Sequence, residues 1–223
     1  KTSLQKYPFI KGFTTNPSLM HKEGVKNYEE FCKEALNVSS NLPISFEVFS
    51  DDLKDMEEEA RIIHSWGGNS YVKIPISNTK GNSTSDVISN LTKDGIKINV
   101  TAIFTVDQIT SILDFFNDTT PSIVSVFAGR IADSGIDPMK IMSECSKILK
   151  SKKNIELLWA SSREVLNIFQ AEKTNSQIIT IAPEILDKIK FLNKDLNEFS
   201  LDTVNDFFKD ASSAGFNILE KDS

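Results

Sequence analysis

Apolar positions along the chain recur with two different spacings. Short, largely continuous apolar runs occupy 10–14, 44–49, 71–76, 98–104, 123–127, 156–161 and 177–181. Each is too short for a buried helix and has the length of a sheet strand. Between them the apolar residues fall three or four apart, as on one face of a helix. Leu53, Met56, Ala60 and Ile63 form one such stripe; Met142, Cys145 and Leu149, with Ile141 and Ile148, form another. Asp137-Pro138 opens the second helix as N-cap and first helical residue. Helices are also expected at 183–192 and 201–214, the latter stopped by Gly215. Strands alternating with helices predict a parallel sheet, wound flat or closed into a barrel. No linker or repeat interrupts the pattern, so 1–223 reads as one domain.

Successive side chains on a strand point to opposite faces. In Tyr71-Val72-Lys73-Ile74-Pro75-Ile76, the residues Val72, Ile74 and Ile76 share an apolar face suited to packing under helices. Lys73 lies on the other face, with Tyr71 and Pro75, and points into the barrel. The same division recurs. Glu47 lies with Ser45 and Phe49; Asn99 and Thr101 lie opposite Val100, Ala102 and Phe104; Ser125 lies with Phe127. Thr14 and Asn16 share a face, and Ser161 ends its strand. Polar groups therefore gather at the C-terminal ends of six strands, where barrels of alternating strands and helices build their active sites. So much buried polarity is costly without a ligand. An ammonium in such a place is costly to desolvate, and desolvation favours the neutral amine, a nucleophile able to form a Schiff base.

Composition narrows the partners. The net charge of −6 argues against nucleic acid. No apolar run is long enough for a membrane helix, and Lys1-Thr2-Ser3-Leu4-Gln5-Lys6 has no signal-peptide core. Cys32 and Cys145 fall at apolar helix positions and read as buried free thiols in a reducing, cytoplasmic setting. No Cys/His/Asp cluster has the spacing of metal ligands. The arginines are Arg61, Arg130 and Arg163, and the last two lie just past strands, where planar forks suit phosphate. Each also has a nearby carboxylate, Asp133 for Arg130 and Glu164 for Arg163, and so also reads as a surface ion pair.

Gly12-Phe13-Thr14-Thr15-Asn16-Pro17-Ser18-Leu19 resembles the G-x-T-T-N-P-[ST] signature of the transaldolase family. Val72-Lys73-Ile74-Pro75 resembles its Schiff-base strand and Asn99-Val100-Thr101 its N-V-T strand. Ser125-Val126-Phe127-Ala128-Gly129-Arg130-Ile131 and Ala160-Ser161-Ser162-Arg163 resemble its S-P-F-x-G-R and A-S-F-R segments, in the family's order. The resemblance implies a (β/α)8 TIM barrel and a cofactor-free transfer of a dihydroxyacetone unit between sugar phosphates. Lys73 would form the imine, with Glu47, Thr101 and a water as proton shuttle. Asn16, Asn99 and Ser125, with Thr14 nearby, would bind the three-carbon unit, and Arg130, Ser161 and Arg163 the phosphate. Ser18 reads as structural, starting a turn or capping a helix. Phe127 stands where aldolase relatives tend to carry a tyrosine, which favours transfer over free aldol cleavage. A fructose-6-phosphate-type aldolase and a silent sugar-phosphate binder remain the alternatives. Small relatives form homo-oligomers through C-terminal helices, a role open to 201–214 with Phe207-Phe208.

The chain departs from the family pattern at Val126, Trp159, Ser162 and Glu164. Only seven strands can be counted. The family's first strand, which carries an aspartate acting on the C4 hydroxyl, has no place between Lys1 and the strand at 10–14, because a parallel crossover needs about a dozen residues. Lys1 and its neighbours read as the first helix. The native protein is therefore expected to carry a preceding segment with that aspartate.

Overall fold

A computed structural model of the chain describes residues 6–216 and 218. Residues 1–182 and 183–223 form two compact units. In the first unit, β1 (Phe13–Thr14), β2 (Ile44–Glu47), β3 (Ser70–Pro75), β4 (Ile98–Ile103), β5 (Ser122–Val126), β6 (Ile155–Trp159) and β7 (Ile178–Ile179) form one sheet. Every neighbouring pair is parallel, and spatial order follows chain order. The connecting helices are α1 (Pro17–Lys22), α2 (Tyr28–Val38), α3 (Leu53–Ser65), α4 (Ser85–Lys93), α5 (Val106–Ile112), α6 (Ala128–Asp133), α7 (Pro138–Leu149) and α8 (Leu166–Lys173). All seven predicted strands form, most of them a residue or more shorter than their apolar runs. The expected helix at Lys1 and its neighbours lies outside the described residues.

The sheet is curled. The Asn99 amide on β4 donates to the Ser45 hydroxyl on β2 at 3.1 Å, reaching past the intervening β3. Side chains two strands apart touch only across a concave face, since neighbouring strands alone are about 4.8 Å apart. The fold is thus TIM-barrel-like, a parallel sheet of seven strands with helices outside it. Two apolar clusters follow from this shape. The larger fills the layer between sheet and helices, with Phe46, Val72, Ile74, Val100 and Val124 from the strands meeting Met56, Leu91, Ile109 and Met142 from the helices. Burial of each such side chain contributes about 1.5–3 kcal/mol. The smaller lies on the concave face, where Ile123, Leu158 and Ala160 pack with Tyr71, Phe127 and Ile178.

Helix starts match local chemistry. Asp52 caps α3 by accepting from the Lys54 and Asp55 amides. Thr105 and Gln108 form a reciprocal capping box on α5. Asp137 caps α7, with Pro138 at the first helical position as expected. One expectation is corrected. The alternation assigned to 98–104 breaks after Val100, where the β4–β5 register shifts before Ile103 and Ala102 takes a φ of 60°. This bulge inserts one residue, so Ile103 rather than Ala102 is buried in the helix-side core, with Phe104 packed against it. Phe104 also lies 5.8 Å, centroid to centroid, from Phe127.

The second unit contains α9 (Pro183–Leu186), a 3-10 turn at Asp187–Phe191 and α10 (Leu196–Ser213). The C-terminal helix starts earlier than the expected 201, because Asp195 caps it through the Asn197 and Glu198 amides. Gly215, at φ 70°, follows its end as expected. Leu201, Val204, Phe207 and Phe208 on α10 are exposed.

Two contacts place the loops at the C-terminal ends of the strands. The Glu59 carboxylate on α3 accepts from the Phe49 and Ser50 amides at 2.7 and 2.9 Å and from the Ser50 hydroxyl at 2.6 Å. Burial works against its charge, but these donors more than offset burial and hold the carboxyl below its ordinary range. Gly129 in α6 packs against the turn after β6. A Cβ there would lie 1.6 Å from the Ser161 carbonyl oxygen, and the Gly129 amide donates to Ala160 O at 3.2 Å.

Two predictions follow from these contacts. Gly129→Ala must displace the Ser161 backbone and is expected to cost about 1–3 kcal/mol in denaturant unfolding. Glu59→Gln is expected to cost about 1–2 kcal/mol at neutral pH, discounted for partial exposure. Because the folded carboxyl lies below its unfolded value, that contribution is full above the unfolded pKa of about 4.3. It is lost as pH falls through the lower folded value, so unfolding curves of the two proteins should converge in acid and stay apart at pH 7.

Candidate active site

Register brings the catalytic candidates together. Glu47 on β2 pairs with Lys73 on β3, and Lys73 with Asn99 on β4. Thr101 lies beside Pro75, two residues nearer the C-terminal ends. Lys73 is buried, and its ammonium donates to Glu47 Oε2 at 3.0 Å and to the Thr15 carbonyl at 3.1 Å. An ammonium taken from water is tolerable only with such partners, since a buried charge must be paired and hydrogen-bonded. The amine therefore has a fixed direction, and the carboxylate beside it can take up or return its proton.

Glu47 is itself braced. The Tyr28 hydroxyl donates to Glu47 O and accepts from Glu47 N, both at 2.9 Å. Burial, with the neighbouring Cys32 and Glu47 adding to it, pushes the Tyr28 phenol far above its ordinary range, so it stays neutral and can serve as donor and acceptor at once. Tyr28 packs against Phe49 and Trp66 at 4.6 and 5.9 Å. Cys32 and Cys145 are buried free thiols, as expected, and burial pushes them up to about 12 and about 11, leaving both protonated and unreactive.

The Thr101 hydroxyl is buried and has no hydrogen-bond partner among the described residues. A buried polar atom left this way costs about 1–3 kcal/mol, and Trp159 Nε1 is in the same position. The bulge directly after Thr101 sets where this hydroxyl sits.

Asn99 and Ser125 are brought together more tightly than alternation suggests. Ser125 Oγ donates to Asn99 Oδ1 at 2.6 Å, while Asn99 Nδ2 donates to Ser45 Oγ at 3.1 Å. This buried chain fixes which way the Asn99 amide faces. It leaves one Nδ2 hydrogen and the Ser125 lone pairs for other partners. Asn16 precedes α1, and its carbonyl accepts from the Met20 amide. Thr14 is exposed on β1 and joins none of these contacts. The next residue is the one that reaches the lysine: Thr15 turns its hydroxyl and amide back to Ser45 O at 3.0 and 3.1 Å and presents its carbonyl to Lys73. Ser18 is the second residue of α1, and its side chain lies outside the described residues.

Arg130, Ser161 and Arg163 gather at the ends of β5 and β6. Arg130 lies over the Phe127 ring, 5.3 Å from its centroid. Arg163 pairs with Asp133 rather than with Glu164, through Nε at 3.0 and 3.2 Å and Nη2 at 2.5 Å. The carboxylate expected to serve Arg130 is thus taken by Arg163. The fork raises the Arg163 guanidinium and lowers the Asp133 carboxyl from their ordinary ranges. Ser161 has a φ of 66° and accepts from Arg163 Nη1 through both its carbonyl and its hydroxyl. Strain of this kind persists only where surrounding contacts enforce it.

The sequence singles out neither Thr15, Ser45 nor Tyr28 as a site residue, and it gives Asp133 to Arg130 rather than to Arg163. The neighbouring threonines in Thr14-Thr15 were a signal for the first, and Ser45 stood on the Glu47 face. Tyr28 lies 19 residues from Glu47 and Asp133 lies 30 from Arg163, so only the fold shows these pairs.

Among the described residues no helix is long and apolar enough to cross a membrane. The sequence model of the Transaldolase/Fructose-6-phosphate aldolase family matches residues 2–220. "Probable transaldolase" of Dehalococcoides mccartyi is 32% identical over 178 residues, 79% of this chain and 79% of that protein. "Probable transaldolase 2" of Listeria monocytogenes is 34% identical over 181 residues, covering 81% of this chain and 78% of that protein. "Probable transaldolase" of a Thermoanaerobacter species is 36% identical over 178 residues, covering 79% and 78%. A curled parallel sheet with an inward lysine, matched along nearly its whole length, makes this chain a member of the transaldolase/fructose-6-phosphate aldolase family.

Proposed function

We propose that the protein is a transaldolase, moving a dihydroxyacetone unit from a ketose phosphate such as fructose 6-phosphate to an aldose phosphate such as erythrose 4-phosphate. One observation carries this reading: the inward amine of Lys73 faces the Glu47 carboxylate at 3.0 Å, and the neighbouring strand carries a buried Thr101 hydroxyl with no partner among the described residues. Lys73 Nζ, once Glu47 has accepted its proton, adds to the C2 carbonyl of the ketose. Glu47 returns a proton to the carbinolamine oxygen, water leaves, and an iminium forms. Thr101 holds the water through which this proton travels. Cleavage of the C3–C4 bond delivers its electron pair to the iminium and leaves an enamine. As that bond breaks, the C4 hydroxyl passes its proton to water, and the aldehyde so formed, glyceraldehyde 3-phosphate, leaves. The enamine then attacks the acceptor aldehyde, and hydrolysis frees Lys73.

Asn99 and Ser125 bind hydroxyls of the three-carbon unit with the donor and acceptor capacity their mutual bond leaves over, and Asn16 joins them. Arg130, Ser161 and Arg163 bind the phosphate. Phe127 brings no hydroxyl to the wall, which favours transfer over free cleavage. The exposed apolar residues of α10 support a homo-oligomer.

Borohydride added with fructose 6-phosphate should attach the sugar fragment to Lys73, read by mass spectrometry, and Lys73→Ala should abolish the adduct. An adduct elsewhere, or none in the wild type, would overturn the reading. Release of glyceraldehyde 3-phosphate without an acceptor would identify an aldolase instead. Thr101→Val is expected to lower kcat about 100-fold with no loss of stability, because the lost hydroxyl has no partner among the described residues.

A further inference from the structure

The two arginines past the strand ends are held differently. Arg130 rests on the Phe127 ring. Arg163 is fixed on two edges, by Asp133 through Nε and Nη2 and by Ser161 through Nη1. A guanidinium has five N–H groups. These contacts use the one on Nε, both on Nη1 and one on Nη2, which leaves a single N–H free of them. The Ser161 hydroxyl accepts from Nη1 and keeps its own hydrogen to donate.

Asp133 is the last residue of α6, the helix that carries Arg130, whereas Ser161 and Arg163 belong to the turn after β6. Its carboxylate therefore ties the segment that carries Arg130 to the one that carries Ser161 and Arg163. Gly129 makes the same join in the backbone, through its amide bond to Ala160. The pair is half-exposed, so it contributes little to folding. Net charge does not explain it either: Arg130 and Arg163 are balanced by Asp133 and Glu164. What the fork does supply is order. An unrestrained arginine must give up its rotamer freedom when an anion binds, and a bidentate carboxylate removes that freedom beforehand.

We infer that Asp133 is a positioning residue of the phosphate subsite, acting through Arg163. It holds the guanidinium so that the remaining N–H and the Ser161 hydroxyl form a fixed donor pair for a phosphate that Arg130 also contacts. This inference rests on the sugar-phosphate reading above and refines it: affinity at this end comes from placed donors rather than from excess positive charge.

The test is a double-mutant cycle read by calorimetry with inorganic phosphate, which requires no turnover. Asp133→Asn should weaken phosphate about tenfold, Asp133→Glu should recover part of the loss, and Asp133→Asn combined with Arg163→Gln should bind no worse than Arg163→Gln alone. In kinetics with the wild type as reference, Asp133→Asn should raise KM for a phosphorylated ketose more than for its unphosphorylated counterpart. Equal losses for both sugars, additive losses in the cycle, or unchanged phosphate binding would overturn the inference. Tighter phosphate binding by Asp133→Asn would also overturn it, by showing that the carboxylate competes with the anion. Should Asp133→Asn fail to fold, Arg163→Lys supplies the check: a cation without the fork should still lose about tenfold. A wild type that binds no phosphate defeats this inference, whereas a missing borohydride adduct with phosphate binding intact defeats only the catalytic reading.

Discussion

Everything at the candidate site depends on burying one ammonium. Lys73 sits on the concave side of a parallel sheet whose other side is packed with aliphatic residues. The strand that carries it is apolar at each alternate position, so the sheet cannot turn Lys73 outward without turning Val72 and Ile74 inward. The charge is thereby committed to the interior, and the interior must answer it. Glu47 and the Thr15 carbonyl do so from β2 and from the residue after β1. Removing Glu47 alone would leave a buried charge unpaired, typically at a cost of about 3–5 kcal/mol. The ion pair that makes the lysine chemically useful is thus also what makes its position tolerable. Tyr28 follows from the same demand, since it holds the backbone of the carboxylate that faces the amine.

How far the site could be read in advance depended on the distance over which each rule operates. Strand period and helix period are local, so all seven strands and the two quoted helical stripes were legible in the apolar pattern. The inward faces of Lys73, Glu47 and Asn99 followed from counting in twos. The count failed at Ala102, where one inserted residue reverses the parity, and nothing in Thr101-Ala102-Ile103 announces a bulge. Parity also fell short at Thr14-Thr15, where a two-residue strand ends and the next backbone turn decides which threonine meets the lysine. Both failures lie close to strand ends, where a bulge or a turn resets the alternation.

The remaining surprises are contacts between distant segments. Asn99 and Ser125 were read as independent ligands for a sugar, yet each occupies part of the other's hydrogen-bonding capacity, with Ser45 closing the chain. Sequence patterns list donors and acceptors but not how many are already taken. Satisfiability changes the chemistry assigned to a residue: Asn99 offers one remaining amide hydrogen in a fixed direction, not a whole freely turning amide.

The same accounting applied to charge explains why Arg163 meets Asp133 and not Glu164. Residues adjacent in sequence on a turn need not face each other, whereas Asp133 on α6 is brought opposite Arg163 by the close approach of Gly129 to Ser161. A side chain at Gly129 would separate the segments that the ion pair joins. The glycine and the carboxylate thus act on one structural variable, the spacing of α6 from the turn after β6. Lys73 and Glu47 depend on strand register in the same way, because pairing places them side by side before any side chain moves. The candidate catalytic and anion-binding groups are therefore set by backbone geometry first, and the charged contacts then hold what the backbone has already placed.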